Sequence, residues 1–185
     1  GFIAGTFLAL PLSYFLARFP WLEKLFAPYI VGLQAVPIVA LAPLIVIWFG
    51  FGLSSKILVA ALVAFFPVLT NGIVGFRSTN PRFRELMAML GGTPGQVFWK
   101  LELPSALPVL FGGLKLGITL SVIGAVVGEF AGAGRGLGYL VNNARGSFDT
   151  PLIFVAIIFL AMLGVGFYAL ISLVESLCMP WKRKK

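Results

Sequence analysis

"NPRFRELMAMLGGTPGQVFWKLELPSALP", residues 80–108, interrupts a chain that is otherwise almost entirely apolar. Asn80 followed by Pro81 is a good N-cap and first-turn pair. Phe83, Leu86, Met87 and Leu90 then recur at i, i+3, i+4 and i+7, one face of a helix, while Arg82, Glu85 and Met89 line a different face. Gly91 and Gly92 predict its end, because glycine readily takes the left-handed backbone of a helix C-terminus. Thr93-Pro94-Gly95-Gln96 predicts a second start, with Thr93 as N-cap and Gln96 closing a capping box. Val97, Phe98 and Leu101 continue an apolar face, and Leu103-Pro104 predicts a stop before the next apolar run. The local chemistry therefore specifies two short amphipathic helices with a sharp elbow between them. Such a hairpin either lies in lipid headgroups or fills a groove on a soluble partner.

The composition decides the solvent. Of 185 residues, 59% are hydrophobic and only 11% charged, against about 25% charged in a soluble domain. Mean hydropathy is +1.02. Such a chain cannot cover a globular surface with polar groups, so lipid bilayer is its natural surrounding. One Cys and no His exclude disulfide frameworks, zinc sites and histidine acid–base chemistry. Cys178 reads as a small apolar filler. The net charge of +8 comes from basic residues placed between apolar segments, which points to orientation in a bilayer rather than to nucleic acid. Gly1 already lies in an apolar run with no charged leader before it. The chain reads as a core without its natural N-terminus, an earlier span included, and without a cleavable signal peptide.

A helix needs roughly 20 apolar residues to cross the hydrocarbon, and five stretches qualify or nearly do. "GFIAGTFLALPLSYFLA" is first and ends at Arg18. The second, from about Leu25 to Phe51, contains Pro28, Pro37 and Pro43 and is expected to be kinked or broken. Freed backbone groups there must face protein or a wet cavity. The third covers about Lys56 to Phe76, the fourth Ser105 to Phe130, and the fifth Pro151 to Val174 with no charge inside it. The expected fold is an all-α membrane protein, a polytopic bundle of about five transmembrane helices in one domain over residues 1–185, with a hairpin at 80–104. "GGLKLG" and "GVG" allow close helix approach.

Orientation follows from Lys and Arg placement. One set of loops holds Arg18, Lys24, Arg77, Arg82, Arg84, Lys100, Lys182, Arg183, Lys184 and Lys185, ten of the fourteen basic residues. The other side holds Lys56, Arg135 and Arg145, with Lys115 inside the fourth span. The hairpin and C-terminus are therefore expected in the cytoplasm, and "AGAGRGLGYLVNNARGSFDT" on the outer face.

Glu85, Gly91 six residues on, and Leu101-x-Leu103-Pro104 after nine more residues together resemble the "EAA" loop of ABC importer permeases, E-A-A-x3-G-x9-I-x-L-P, with its spacing met in full. "SALPVLFGGLKLG", "AVPIVALAPLIVIWFGFG", "AFFPVLTNGIVGFRS" and "GLGYL" also resemble that family, in its nitrate, sulfonate, taurine, thiamine-precursor and riboflavin branch. The resemblance covers essentially the entire chain. Leu86 and Met87 stand where the pattern has two alanines, and Leu101 where it has isoleucine. The bulkier pair alters the fine geometry of the groove that would receive it.

The resemblance implies a permease subunit of the bacterial inner membrane. Two such subunits, by default a homodimer, would form the pathway. Two cytoplasmic ABC ATPase subunits would each bind one loop, and an extracytoplasmic substrate-binding protein would deliver the solute. Glu85 and Gly91 would belong to the coupling elbow, with Leu103 and Pro104 anchoring it to the fourth span. This chain would hold no cofactor; ATP and Mg would bind the partner ATPase. "GGTPGQ" lacks the Lys of a phosphate-binding loop, so the chain is not expected to be an enzyme. A proton-driven carrier would need buried carboxylates, and Glu129 is the one candidate in a predicted span. A non-transporting structural subunit is the third class.

Pathway candidates are fewer. Lys115 reads as a bundle-facing or pathway-lining cation. Glu129, fourteen positions later on roughly the same face, is either a gate or pathway residue near the binding-protein side, or a carboxylate that reaches outer water or caps the Gly-rich loop beyond it. Gln34, Thr70 and Asn71 either line the pathway or tie helices together. Arg135, Arg145 and Asp149 are either docking residues for the binding protein or a solvated loop. "VVGEFAGAGRGLGYLV" and the "PWKRKK" ending place the resemblance nearer the thiamine-pyrimidine or riboflavin branch than sulfonate or nitrate, and leave the substrate open.

Overall fold

The computed structural model describes residues 1–180, and every regular element among them is helical. In chain order these are α1 (Phe2–Arg18), α2 (Pro20–Ala35), α3 (Ile38–Phe49), α4 (Leu53–Arg77), α5 (Pro81–Met89), α6 (Pro94–Val97), a π-helical turn (Phe98–Glu102), α7 (Leu103–Phe130), α8 (Leu137–Gly146) and α9 (Thr150–Cys178). The basic cluster Lys182, Arg183, Lys184 and Lys185 lies outside the described residues.

All five expected apolar stretches are helical, but they are not alike. α4, the run Pro94–Phe130 and α9 are each long and apolar enough to cross a membrane; α2 and α3 pass only as a pair bent by 89°, and α1 is shorter. The break in the second stretch is narrower than its three prolines imply. Pro28 and Pro43 sit inside helices, and only Val36-Pro37 interrupts. Val36 (φ −71°, ψ 124°) and Pro37 (φ −64°, ψ 114°) are both extended, as the residue before a proline prefers.

α4 is the central element. Close approach is permitted by small residues, because between helices in lipid van der Waals packing replaces the hydrophobic drive. A Cβ added to Gly113 would collide with Asn71, one on Gly117 would lie 2.9 Å from Val68 Cγ2, and one on Gly124 would lie 2.9 Å from Ala60 Cα. Positions rising along α7 meet positions falling along α4, so the two are antiparallel. α1 runs parallel to α4: a Cβ on Gly5 would collide with the Ala61 carbonyl, and one on Gly72 with Ser13. Ala9 and Leu16 of α1 pack with Val68, Leu69 and Ile73 of α4. α3 joins the far end of this pair through Ala42, Ile45, Val59 and Val127. α9 lies against α7 with most of its apolar surface open, burying only Ala156 and Ile171.

Two expectations about helix ends change. Leu103-Pro104 does not stop the second hairpin helix. From Pro94 the chain stays helical to Phe130, 37 residues, or about 55 Å at 1.5 Å per residue. The π turn explains how. Leu103 N–H reaches back five residues to the Phe98 carbonyl, and this wider turn accommodates the prolyl ring that would crowd a tight α-helix. The fifth stretch, expected without charge, continues to Cys178 and so includes Glu175.

At the end of the bundle opposite the hairpin, α8 has no capping side chain of its own. Glu129 supplies one from α7: its Oε2 accepts from Gly138 N–H at 2.6 Å and Tyr139 N–H at 3.4 Å. Gly136 (φ 127°) and Gly138 are needed there, since a Cβ on either would crowd this carboxylate.

Gly124→Val should destabilise the bundle by about 1–3 kcal/mol through overpacking, lowering the thermal midpoint in detergent. Gly112→Ala, whose Cβ would meet nothing within 4 Å, should leave it unchanged. Glu129→Ala should cost about 1 kcal/mol at the α8 cap, read as a roughly fivefold faster amide exchange at Gly138 and Tyr139.

Candidate functional site

The hairpin forms as its local chemistry dictates. The Asn80 side chain accepts from Arg82 N–H at 3.0 Å, with Pro81 in the first turn of α5. At the other end Gly91 takes φ 71°. Gly91 N–H donates to the Ala88 carbonyl at 3.0 Å and Gly92 N–H to the Met87 carbonyl at 2.8 Å, the paired C-terminal bonds of a left-handed glycine stop. Thr93 and Gln96 complete the expected capping box: Gln96 N–H donates to Thr93 Oγ1 at 3.3 Å and Thr93 N–H to Gln96 Oε1 at 3.0 Å. The elbow is thus fixed by hydrogen bonds on both sides.

No residue of α5 is buried. Phe83, Leu86 and Leu90 stand open, and Met89 is 86% exposed. Met87 is partly covered, with its carbonyl in the glycine stop. Arg82 and Glu85 are exposed on the same short helix. The apolar face is therefore not used by its own chain. On the bundle side, Leu103 packs with Phe76, Ala106 and Leu110, Leu101 is half-buried, and Pro104 lies in the first turn of α7. These are the anchoring positions.

The root of the hairpin holds a cluster that reading the sequence missed. Glu102, the last residue of the π turn, is 1% exposed. Its Oε1 accepts from Arg18 Nη1 of α1 at 3.1 Å and pairs with Arg84 Nη2 of α5 at 3.0 Å; its Oε2 accepts from Tyr14 Oη of α1 at 3.2 Å. A buried carboxylate is costly unless paired and hydrogen-bonded, and here two guanidinium groups and a phenol supply that. Tyr14 also packs edge-on against Phe76 and Phe98, at ring separations of 5.1 and 5.0 Å. The only signal in the sequence was an acid inside "FWKLELP", where its neighbours are large and apolar. Nearby, Arg77 at the end of α4 pairs with Glu23 of α2 and donates to the Leu16 carbonyl of α1 at 3.5 Å.

The pathway candidates are not brought together. Gln34 borders a cavity of ≈ 450 Å³ at the α2–α3 break, with Val36, Pro37, Phe66 and Leu120. No charged side chain lines it. Thr70 donates to the Phe66 carbonyl of its own helix at 3.0 Å, and Asn71 Nδ2 to the Pro67 carbonyl at 2.8 Å. Asn71 also packs on Gly113, so it serves the α4–α7 seam. Lys115 pairs with Glu175 of α9 and sits 5.3 Å from the Tyr168 ring centroid. Its side chain is largely covered between α7 and α9, and its charge is compensated. Glu175 is thus a second carboxylate within a long helix, beside Glu129. Of the two readings of Glu129, the structure shows the cap. Asp149 likewise caps α9, its Oδ1 accepting from Leu152 N–H at 3.1 Å, while Arg135 and Arg145 are exposed.

The arrangement is an open hairpin capped at its elbow, a second arm that stays helical into the bundle, and an ionic joint at its root. Residues 1–178 match the family described as "Binding-protein-dependent transport system inner membrane component". The chain is 49% identical over 166 residues to a riboflavin transport system permease protein of Chloroflexus aurantiacus, covering 90% of this chain and 62% of that protein. It is 40% identical over 163 residues to a formylaminopyrimidine transport permease protein of Halalkalibacterium halodurans, covering 88% and 65%. It is 30% identical over 178 residues to a taurine transport system permease protein of Escherichia coli, covering 96% of this chain. The chain spans less than two thirds of the length of the first two of these relatives. On the match over nearly its whole length, it belongs to the family of inner membrane components of binding-protein-dependent transport systems.

Proposed function

We propose that this chain is the permease subunit of an ATP-driven, binding-protein-dependent importer, and that residues 80–104 are its coupling loop. The observation that carries this reading is the α5–α6 hairpin itself. Its elbow is capped on both sides, its apolar face is open, and its second arm is continuous with a 37-residue helix. A floppy loop would absorb a push; this hairpin delivers it to α7. Phe83, Leu86, Leu90 and Met89 are the contact residues for an ATPase, with Arg82 and Glu85 beside them. ATP and Mg would bind in that ATPase. Nucleotide-driven approach of two ATPases would move two hairpins and shift the spans between inward- and outward-facing arrangements.

The split of basic residues supports a cytoplasmic hairpin and C-terminus and an outer α8, with Arg135 and Arg145, both exposed, as docking residues for a substrate-binding protein. A second copy of the chain completes the pathway. For the solute, planar N-heteroaromatic compounds come first. The relatives at 49% and 40% identity are named for riboflavin and formylaminopyrimidine transport, and the cavity beside Gln34 offers a carboxamide within apolar walls and no cation for a sulfonate.

In proteoliposomes holding the assembled complex and its binding protein, uptake of labelled riboflavin or formylaminopyrimidine should exceed uptake of taurine. It should persist when the proton gradient is collapsed and ATP retained. Loss of uptake on collapsing the gradient would instead favour an ion-coupled carrier. Gly91→Val forces a β-branched residue to φ 71°, at a backbone cost of about 1–2 kcal/mol. It should reduce ATP-driven uptake at least tenfold while the protein still inserts and folds; unchanged uptake counts against the hairpin as the coupling element.

A further inference from the structure

The chain enters the hairpin from α4 through residues 78–80 and leaves it through the π turn into α7. Glu102 adds a third, non-covalent attachment, and we propose that it is a positioning residue that ties the hairpin directly to α1, so that one push reaches α1 as well as α4 and α7. This rests on the reading of residues 80–104 as the coupling loop.

Several observations converge on it. Glu102 occupies the last position of the π turn, where the hairpin arm passes into α7. π turns are among the places where helices kink, so without a brace this junction is the natural place for the rod to bend. The brace is complete: Arg84 reaches in from α5, and Arg18 and Tyr14 from α1. Neither arginine contacts another carboxylate among the described residues. Arg84 also approaches the Phe76 carbonyl at the end of α4, at 3.5 Å. Charge-assisted bonds to a buried carboxylate are both strong and directional.

α1 then has somewhere to carry the motion. It runs parallel to α4, with Gly1, Gly5 and Ser13 in close approach to it, so a push at Arg18 is passed along the α1–α4 seam. Deleting Glu102 removes this tie and leaves the two covalent ones, to α4 and α7. In that state the hairpin still receives its ATPase and α4 and α7 still move, while α1 follows only through its packing against α4 and so moves less.

The test uses spin labels in the assembled complex, in nanodiscs, with the one native cysteine removed as Cys178→Ser. Ile3→Cys at the far end of α1 and Phe148→Cys in the α8–α9 turn are both highly exposed. Their separation is read by pulsed electron resonance, labelled chains being diluted with unlabelled ones, with and without ATP and vanadate. The parent should capture its ATPase and show a vanadate-dependent change in distance. Glu102→Gln removes the carboxylate outright. Arg18→Gln and Arg84→Gln each remove one half-exposed arm, which keeps the proposal open to refutation if the buried substitution fails to fold. Each arm variant should still capture the ATPase but lose about three quarters of the shifted population. Arg84→Lys should restore at least half of it. A full shift in both arm variants overturns the tie alone. Loss of ATPase capture on Arg84→Gln would place Arg84 in the docking surface and overturn it too. A parent that captures no ATPase overturns the coupling-loop reading, and this inference with it.

Discussion

The fold rests on how closely α4 and α7 approach. Helices in lipid gain little from hiding apolar surface from one another, because the acyl chains are equally apolar. What holds them is contact, and contact requires that backbones come near. Gly113, Gly117, Gly124 and Gly128 on α7 supply that proximity along the length of α4. α1 repeats the arrangement on another face of α4. Larger side chains along these seams would force the helices apart.

Upon that frame, a few ion pairs join helices to one another. Arg77 with Glu23, Lys115 with Glu175, and Glu102 with Arg18 and Arg84 each join different helices. The two remaining acids of the bundle ends, Glu129 and Asp149, cap helices instead. In a bilayer an unpaired charge is expensive, and these pairs and caps hold five of the six acids of the chain. The α2–α3 break carries Gln34 beside an apolar cavity with no charged side chain in its lining.

How much of this was legible depended on the range of the interaction. The hairpin was readable residue by residue, since Asn80, Gly91, Thr93 and Gln96 act on partners no more than five positions away. The break at Pro37 was visible in kind but not in place, because three prolines in one stretch look alike until the helix either tolerates each or does not. Pro104 was misread as a stop. A proline and a following span usually mean a boundary, and only the π turn allows continuity. Glu129 was readable as a gate, as a carboxylate reaching outer water or as a cap; the glycines at 136 and 138 permit the cap by letting α8 come within reach.

The sequence by itself determined the solvent, the helical segments and the shape of the hairpin, because hydropathy, capping and glycine chemistry act within a few residues. Only the tertiary structure decided which charges meet. Glu102 finds Tyr14 and Arg18 from 88 and 84 residues away, and no local pattern encodes that pairing. It exists because α1 and α4 run side by side and α7 returns against them, bringing three chain segments to one point at the root of the hairpin. Packing, which is a property of the whole bundle, set that meeting.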